Sequence, residues 1–224
     1  FSKSKNLFLL EDAAQGFGGK IKNRKACTFG DVSATSFFPA KPLGCYGDGG
    51  AIFTNDDELA EKMQSIRVHG GGDNKYNNIR LGLNGRLDTL QAAILIEKLA
   101  IFESELKLRN KIAKLFSANI NTNFIVPHIP DNYSSSWAQY SVLLKKKEDR
   151  ENLVEDLSKK RIPSMIYYKT PLHLQKVFKY LNYKSGDLPK SEGVADKIIS
   201  LPMHPYLNKS DQDYIVDTLN SSII

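Results

Sequence analysis

Ser36-Phe37-Phe38-Pro39-Ala40-Lys41-Pro42-Leu43-Gly44-Cys45-Tyr46-Gly47-Asp48-Gly49-Gly50-Ala51 is the stretch on which the reading of this chain turns. It sets Lys41 among apolar residues and glycines, where a charged amine is costly unless it has a partner or a task. Pro39 and Pro42 restrict the backbone on either side of the lysine, and Phe37 and Phe38 precede it. Val32 to Phe38 is rich in β-branched and aromatic residues and predicts a strand, and Ala51-Ile52-Phe53-Thr54 predicts the next one. Burial of this kind makes a free amine available as nucleophile and proton carrier.

Upstream, Glu11-Asp12-Ala13-Ala14-Gln15 closes the apolar run Leu7-Phe8-Leu9-Leu10. Asn6 to Leu10 predicts a short buried strand, its continuous apolar run suiting a parallel sheet covered on both faces. Asp12 then stands at the carboxyl end of a strand, where α/β sheets bind ligands. A lysine and an acid placed in this way are what a pyridoxal phosphate enzyme needs. The amine forms the Schiff base, and the carboxylate keeps the pyridine nitrogen protonated. Taken singly, the residues leave other readings open: a lysine can lay its stem on a surface with its head in water, and Asp12 can cap a helix.

Beyond Thr54, Asn55-Asp56-Asp57-Glu58 supplies a cap and first-turn acids for a helix to about Arg67. Gly70-Gly71-Gly72-Asp73 and the polar run to Arg80 predict a loop. From Asp88 a long helix is expected to Asn119, with Leu90, Ala93, Ile94, Leu99 and Phe102 spaced for one apolar face. Asn121 to Ser136, with Pro127 and Pro130, reads as a crossing segment. The remainder alternates: Tyr140 to Leu144 as strand, Asp149 to Lys160 as helix, Ser164 to Tyr168 as strand. A helix from Pro189, a strand near Ile199-Ser200-Leu201-Pro202 and a helix from Ser210 follow. The pattern is that of an α/β protein with a larger domain over 1–120 and a smaller one over 121–224.

The formal net charge of +6 on 224 residues is dispersed among acids, and the densest basic run, Lys145-Lys146-Lys147, is short. This is a solvated basic surface, and nucleic acid is not an expected partner. No apolar run is long enough to span a membrane. Two cysteines, Cys27 and Cys45, neither make a disulfide framework nor carry metal spacing, so a reducing cytoplasm is the default and no metal is expected. The four histidines (His69, His128, His173, His204) have no metal-ligand spacing either. Gly44 to Gly50 lacks the spacing of the known phosphate loops and reads as a tight turn that positions Lys41. Asn84 and Arg86, in Gly82-Leu83-Asn84-Gly85-Arg86-Leu87-Asp88, are an amide and a cation suited to oxyanions.

Together these segments resemble the sugar aminotransferases of the DegT/DnrJ/EryC1/StrS family, which are fold-type I pyridoxal phosphate enzymes. The matching words are Glu11 to Gln15, Ser36 to Lys41, Gly47 to Gly50, Arg67-Val68-His69-Gly70 and Gly82 to Asp88. Pro171-Leu172-His173-Leu174-Gln175 and Ser200-Leu201-Pro202-Met203-His204-Pro205 complete the series in family order. The resemblance implies the aspartate aminotransferase-like fold, with a partial large parallel-sheet domain and a small α/β domain. It also implies that the family's N-terminal part lies outside this chain.

It further implies roles residue by residue. Lys41 would carry the cofactor, Asp12 would pair with its pyridine nitrogen, Gln15 would contact the ring near its hydroxyl, and Ser36 would bind its phosphate. Asn84 would reach that phosphate from a neighbouring subunit, making a homodimer with shared active sites. The activity implied is transfer of an amino group, from an amino-acid donor such as glutamate, to a nucleotide-linked keto-sugar for surface polysaccharide. The Phe-Pro-x-Lys word looks most similar to the branch that aminates C3 of UDP-2-acetamido-2-deoxy-3-oxo-glucuronate. Arg86 would then face the uronate carboxylate, and Tyr167 and Tyr168 would pack on sugar or nucleotide. A different outcome is a shortened remnant that folds or dimerises without cofactor.

Overall fold

The computed structural model describes residues 1–74 and 76–223. Strands β1 (Leu10–Asp12), β2 (Lys20–Ile21), β3 (Arg24–Lys25), β4 (Val32–Ser36) and β5 (Gly50–Thr54) come first. Helices α1 (Asp57–Arg67) and α2 (Thr89–Asn119) follow, then strands β6 (Phe124–Ile125), β7 (Tyr133–Ser134) and β8 (Tyr140–Leu144). The chain ends with α3 (Asp149–Lys159), α4 (Pro189–Lys197), β9 (Ile198–Leu201) and α5 (Lys209–Ser222). Two compact units result: Phe1–Lys107 with Ile129–Ala138, and Leu108–His128 with the residues from Gln139 onward.

In the first unit the sheet order is β1-β4-β5. β1 runs parallel to β4, with Leu10 opposite Val32 and Asp12 opposite Ala34. β5 returns antiparallel, from Val32 opposite Thr54 to Ser36 opposite Gly50. The sheet is therefore mixed where a parallel one was expected, because the connection 37–49 carries no helix that could cross back over it.

The strand expected at Asn6–Leu10 begins only at Leu10. Leu9 gives its N–H to Asp31 Oδ2 at 2.7 Å and its carbonyl to the Asp31 N–H at 2.9 Å, so the regular ladder starts one residue later. The run is also not buried: Leu7, Phe8 and Leu10 are 54%, 64% and 64% exposed, with no covering layer among the described residues.

α1 starts where its cap predicts, Asp56 Oδ1 accepting the Leu59 N–H at 3.0 Å. Beyond it the chain folds back along the helix end. The Leu83 N–H bonds the Ile66 carbonyl and the Gly85 N–H the Arg67 carbonyl. Gly70 (φ +75°) allows this crossing, since a Cβ there would lie 1.8 Å from the Arg80 carbonyl oxygen.

The buried face of α2 shares Phe102 with the one read from sequence and otherwise differs from it. Leu95, Phe102, Leu106, Ile112, Ala113 and Phe116 are buried, whereas Leu90 and Leu99 are 78% and 54% exposed. Apolar residues occur all round this helix, so periodicity could not choose the face. Its N-terminal half contributes Leu95, Phe102 and Leu106 to a core with Phe37, Leu43 and Cys45.

The second unit has an antiparallel sheet of order β6-β8-β9. β8 alternates strictly, burying Tyr140, Val142 and Leu144. The Phe116 ring lies 5.3 Å from that of Tyr140, and Leu153, Leu157 and Leu219 are buried in the same unit. Ser164–Tyr168, expected as a strand, forms a single bridge from Met165 to Ser200, which exchange both backbone bonds at 3.1 and 2.7 Å.

Candidate active site

The site begins with the alternation of β1. Neighbouring residues on a strand point to opposite faces, so Glu11 and Asp12 cannot share a task. Glu11 Oε1 accepts the Cys27 N–H at 2.8 Å and Oε2 accepts the Phe29 N–H at 2.9 Å. That carboxylate is committed to the turn at 27–29. Asp12 stays exposed, and its Oδ1 accepts the Ala14 N–H at 3.0 Å, a local turn that sets the side chain's direction. Its second oxygen has no hydrogen-bond partner among the described residues. The chain just beyond is tied to β4: the Ala13 N–H donates to the Ala34 carbonyl at 2.8 Å, and Thr35 Oγ1 donates to the Ala13 carbonyl at 2.9 Å.

Because β1 and β4 are parallel neighbours, Asp12 and Ser36 finish at the same end of the sheet. Ser36 is half-buried and its Oγ accepts the Phe38 N–H at 3.2 Å. Lys41 hangs from that end in the loop after β4. It is half-buried, and its N–H turns back to the Phe38 carbonyl at 2.8 Å. The loop closes on itself, the Cys45 N–H bonding the Phe37 carbonyl at 2.8 Å and the Phe37 N–H the Gly49 carbonyl at 2.7 Å. Gly44 permits this, since a Cβ there would lie 2.7 Å from the carbonyl oxygens of both Phe38 and Pro39.

Gln15 is exposed, its carbonyl fixed by Ser136 Oγ at 2.9 Å. Asn84 and Arg86 are both exposed and pair with each other, Arg86 Nε donating to Asn84 Oδ1 at 3.1 Å. No hydrogen bond or ion pair joins them to Asp12, Ser36 or Lys41 among the described residues. Tyr167 and Tyr168 belong to the second unit, where they line an aromatic cleft of about 630 Å³ with Phe178, Val177 and Gln175. A roomier cavity of about 950 Å³, lined by Thr35, Ile52, Met63, Arg67 and Leu83, includes none of the expected site residues. Room alone is therefore no guide to the chemistry here.

Two residues that hold the site escaped sequence reading. Glu11 looked like half of an acid pair, although strand alternation alone separates it from Asp12. Cys45 is fully buried, its thiol lying 3.0 Å from the Phe37 carbonyl and 3.1 Å from that of Gly47. Nothing in its spacing signals this. Burial and the neighbouring Glu11 carboxylate push the Cys27 thiol above the ordinary cysteine value. No cluster of three metal-binding side chains exists among the described residues.

The acid, amine and hydroxyl at one sheet end fit a phosphorylated pyridine aldehyde: a carboxylate for the ring nitrogen, an amine for the aldehyde, and a hydroxyl with backbone N–H groups for phosphate. Comparison with known proteins identifies the family. The family model of the DegT/DnrJ/EryC1/StrS aminotransferases matches residues 1–220. The UDP-2-acetamido-2-deoxy-3-oxo-D-glucuronate aminotransferase of Pseudomonas aeruginosa is 44% identical over 214 residues, covering 95% of this chain and 58% of that protein. A crystal structure of a DegT DnrJ EryC1 StrS aminotransferase from Brucella abortus superposes with a TM-score of 0.91 at 49% identity, over 97% of this chain and 58% of that one. S. venezuelae DesV, solved in complex with a ketimine intermediate, gives 0.92 at 30% identity, over all of this chain (100%) and 60% of DesV. The chain thus spans about three-fifths of the length of these proteins.

Proposed function

Because the chain belongs to the DegT/DnrJ/EryC1/StrS aminotransferase family, we propose that it forms the lysine-bearing part of a sugar aminotransferase dependent on pyridoxal 5'-phosphate. The observation that carries the proposal is the parallel pairing that brings Asp12 and Ser36 to one sheet end, with Lys41 in the closed loop that follows. Bound there, the cofactor would supply the electron sink that stabilises negative charge at the carbon losing its proton.

This chain's residues would do the rest. Asp12, its direction set by the Ala14 N–H, holds a proton at the ring nitrogen. Ser36 Oγ and nearby backbone N–H groups receive the phosphate, and Gln15 steadies the ring at its hydroxyl edge. Lys41 Nζ would hold the cofactor through its aldehyde and would take up and return the proton at the donor's Cα.

The substrate we assign is a nucleotide-linked keto-sugar, aminated at C3 of a UDP-2-acetamido-3-oxo-uronate, with glutamate as donor. The 44% identity to the Pseudomonas aeruginosa enzyme supports this choice. Arg86 would pair with the uronate carboxylate and Asn84 would reach the phosphate of a neighbouring subunit, in a homodimer working in the cytoplasm on surface polysaccharide. Tyr167 and Tyr168, lining one aromatic cleft, would pack on the nucleotide or sugar.

Visible absorbance after adding pyridoxal phosphate tests the reading. A band near the absorbance of a protonated imine, lost in Lys41→Ala, supports it. Absence of a band in the unaltered chain supports the shortened, cofactor-free remnant instead. Arg86→Ala should weaken use of a uronate more than of a neutral keto-sugar, and equal impairment of both would remove that assignment.

A further inference from the structure

Gln91 lies in the first turn of α2, half-buried, and its Oε1 accepts the N–H of Tyr46 at 2.8 Å across 45 residues of sequence. Its amide also fills the space beside Gly47: a Cβ there would meet Gln91 Nε2 at 3.1 Å and Cδ at 3.5 Å. A glycine at 47 and a glutamine at 91 therefore fit one another. The Tyr46 ring cannot anchor this corner by burial, since Tyr46 is 77% exposed and its ring has Lys98 Nζ 5.8 Å from its centroid.

The corner held by Gln91 is wired to Lys41. Gly47 offers its carbonyl to the buried Cys45 thiol, which lies equally close to the Phe37 carbonyl. Phe37 in turn receives the Cys45 N–H and gives its own N–H to Gly49. Residues 38–44, Lys41 among them, thus hang from a closed ring of backbone bonds, and Gln91 ties that ring to a helix of 31 residues. Leu95, Phe102 and Leu106 fix the helix beside the same ring through the shared core.

We propose that Gln91 is a positioning residue for Lys41, holding the lysine-bearing loop at a set place relative to the start of α2. The proposal deepens the aminotransferase reading above and rests on it for the task of Lys41, while the contact itself does not depend on cofactor. Gln91→Met keeps the side chain's length and removes the acceptor, and Gln91→Glu keeps an acceptor oxygen.

Amide hydrogen exchange of the cofactor-free protein gives the first readout. Protection of the peptide spanning 42–49 should fall about tenfold in Gln91→Met and recover in Gln91→Glu, with the second unit unchanged. Unchanged protection of 42–49 in Gln91→Met overturns the proposal. The second readout is the pH profile of pyridoxal phosphate trapped on Lys41 by borohydride, mapped by peptide mass. Gln91→Met should slow trapping at Lys41 about fivefold and alter its pH profile, while trapping at the surface Lys145 stays unchanged. Trapping at Lys41 with the unaltered rate and profile also overturns it. If the unaltered protein shows no preference for Lys41 over Lys145, the aminotransferase reading falls, and the exchange result alone then decides the Gln91 contact.

Discussion

Asp12 and Glu11 sit one residue apart and have opposite duties. Glu11 satisfies two backbone donors of the 27–29 turn, each a charge-assisted bond, in a half-buried place. Glu11→Ala leaves both N–H groups without their partner and should destabilise the first unit by about 2 kcal/mol or more, measured by urea unfolding. Asp12→Ala removes no such bond to the sheet. It should leave unfolding nearly unchanged while weakening pyridoxal phosphate binding at least tenfold, about 1.4 kcal/mol, read by absorbance titration. Equal effects of the two substitutions on stability would contradict the division of roles. Of the expected site, the places of Asp12 and Lys41 were legible from the strand signals before them, since strand ends are where α/β sheets present ligands. Ser36 carried no signal of its own and entered only through the family resemblance. The role of Glu11 was not legible, because a backbone donor leaves no mark on the residue type that bears it.

At the scale of elements, the return from α1 to α2 depends on two glycines that lie against each other. A Cβ on Gly82 would lie 2.0 Å from the Gly70 nitrogen, backbone against backbone, so nothing can rotate away. Gly82→Ala should therefore cost more than about 2 kcal/mol and raise amide exchange across 68–84, whereas Gly193→Ala, with nothing within 4 Å, should be neutral or stabilising. In the second unit Glu192, in α4, plays the part of a fastener. Its carboxylate accepts the Gly186 N–H at 2.8 Å, His173 Nε2–H at 3.1 Å, the Leu188 N–H at 3.2 Å and Ser185 Oγ–H at 3.2 Å. The Gly186 bond first, and then the others, hold its pKa below the ordinary glutamate value. A depressed carboxylate contributes stability that is complete above about pH 4.5 and is lost as pH falls through the depressed value. Exchange protection of 185–188 should fall with acid in that range, and Glu192→Gln should flatten the dependence. The helix starts of α1 and α4 were legible from a cap and a proline, which are local signals, while α5, expected from Ser210, starts at Lys209 behind the Asn208 cap. The buried face of α2 was not legible, because its apolar residues surround the helix.

For the whole molecule, the proposed sharing of sites between subunits can be tested by mixing. If Asn84 serves a neighbour's phosphate, dimers of Lys41→Ala with Asn84→Ala should regain one intact site each, about a quarter of all sites on random assortment. Recovery of the visible band on mixing checks this, and no recovery speaks against a shared site.

Most of the helices, the strands on either side of Lys41 and the order of the chemical words could be read from local sequence: a lysine after one strand, an acid after another, capped helices and tight glycine turns. These depend on neighbours a few residues apart, where periodicity, capping and backbone sterics act. Packing across the chain set the rest: β5 runs back against β4, Leu7 to Leu10 stay exposed, Glu11 is committed to a turn, and Gln91 meets Tyr46. Each of those contacts joins residues far apart in the chain. Which partner a backbone group finds is set by how whole elements pack, and no local pattern records it.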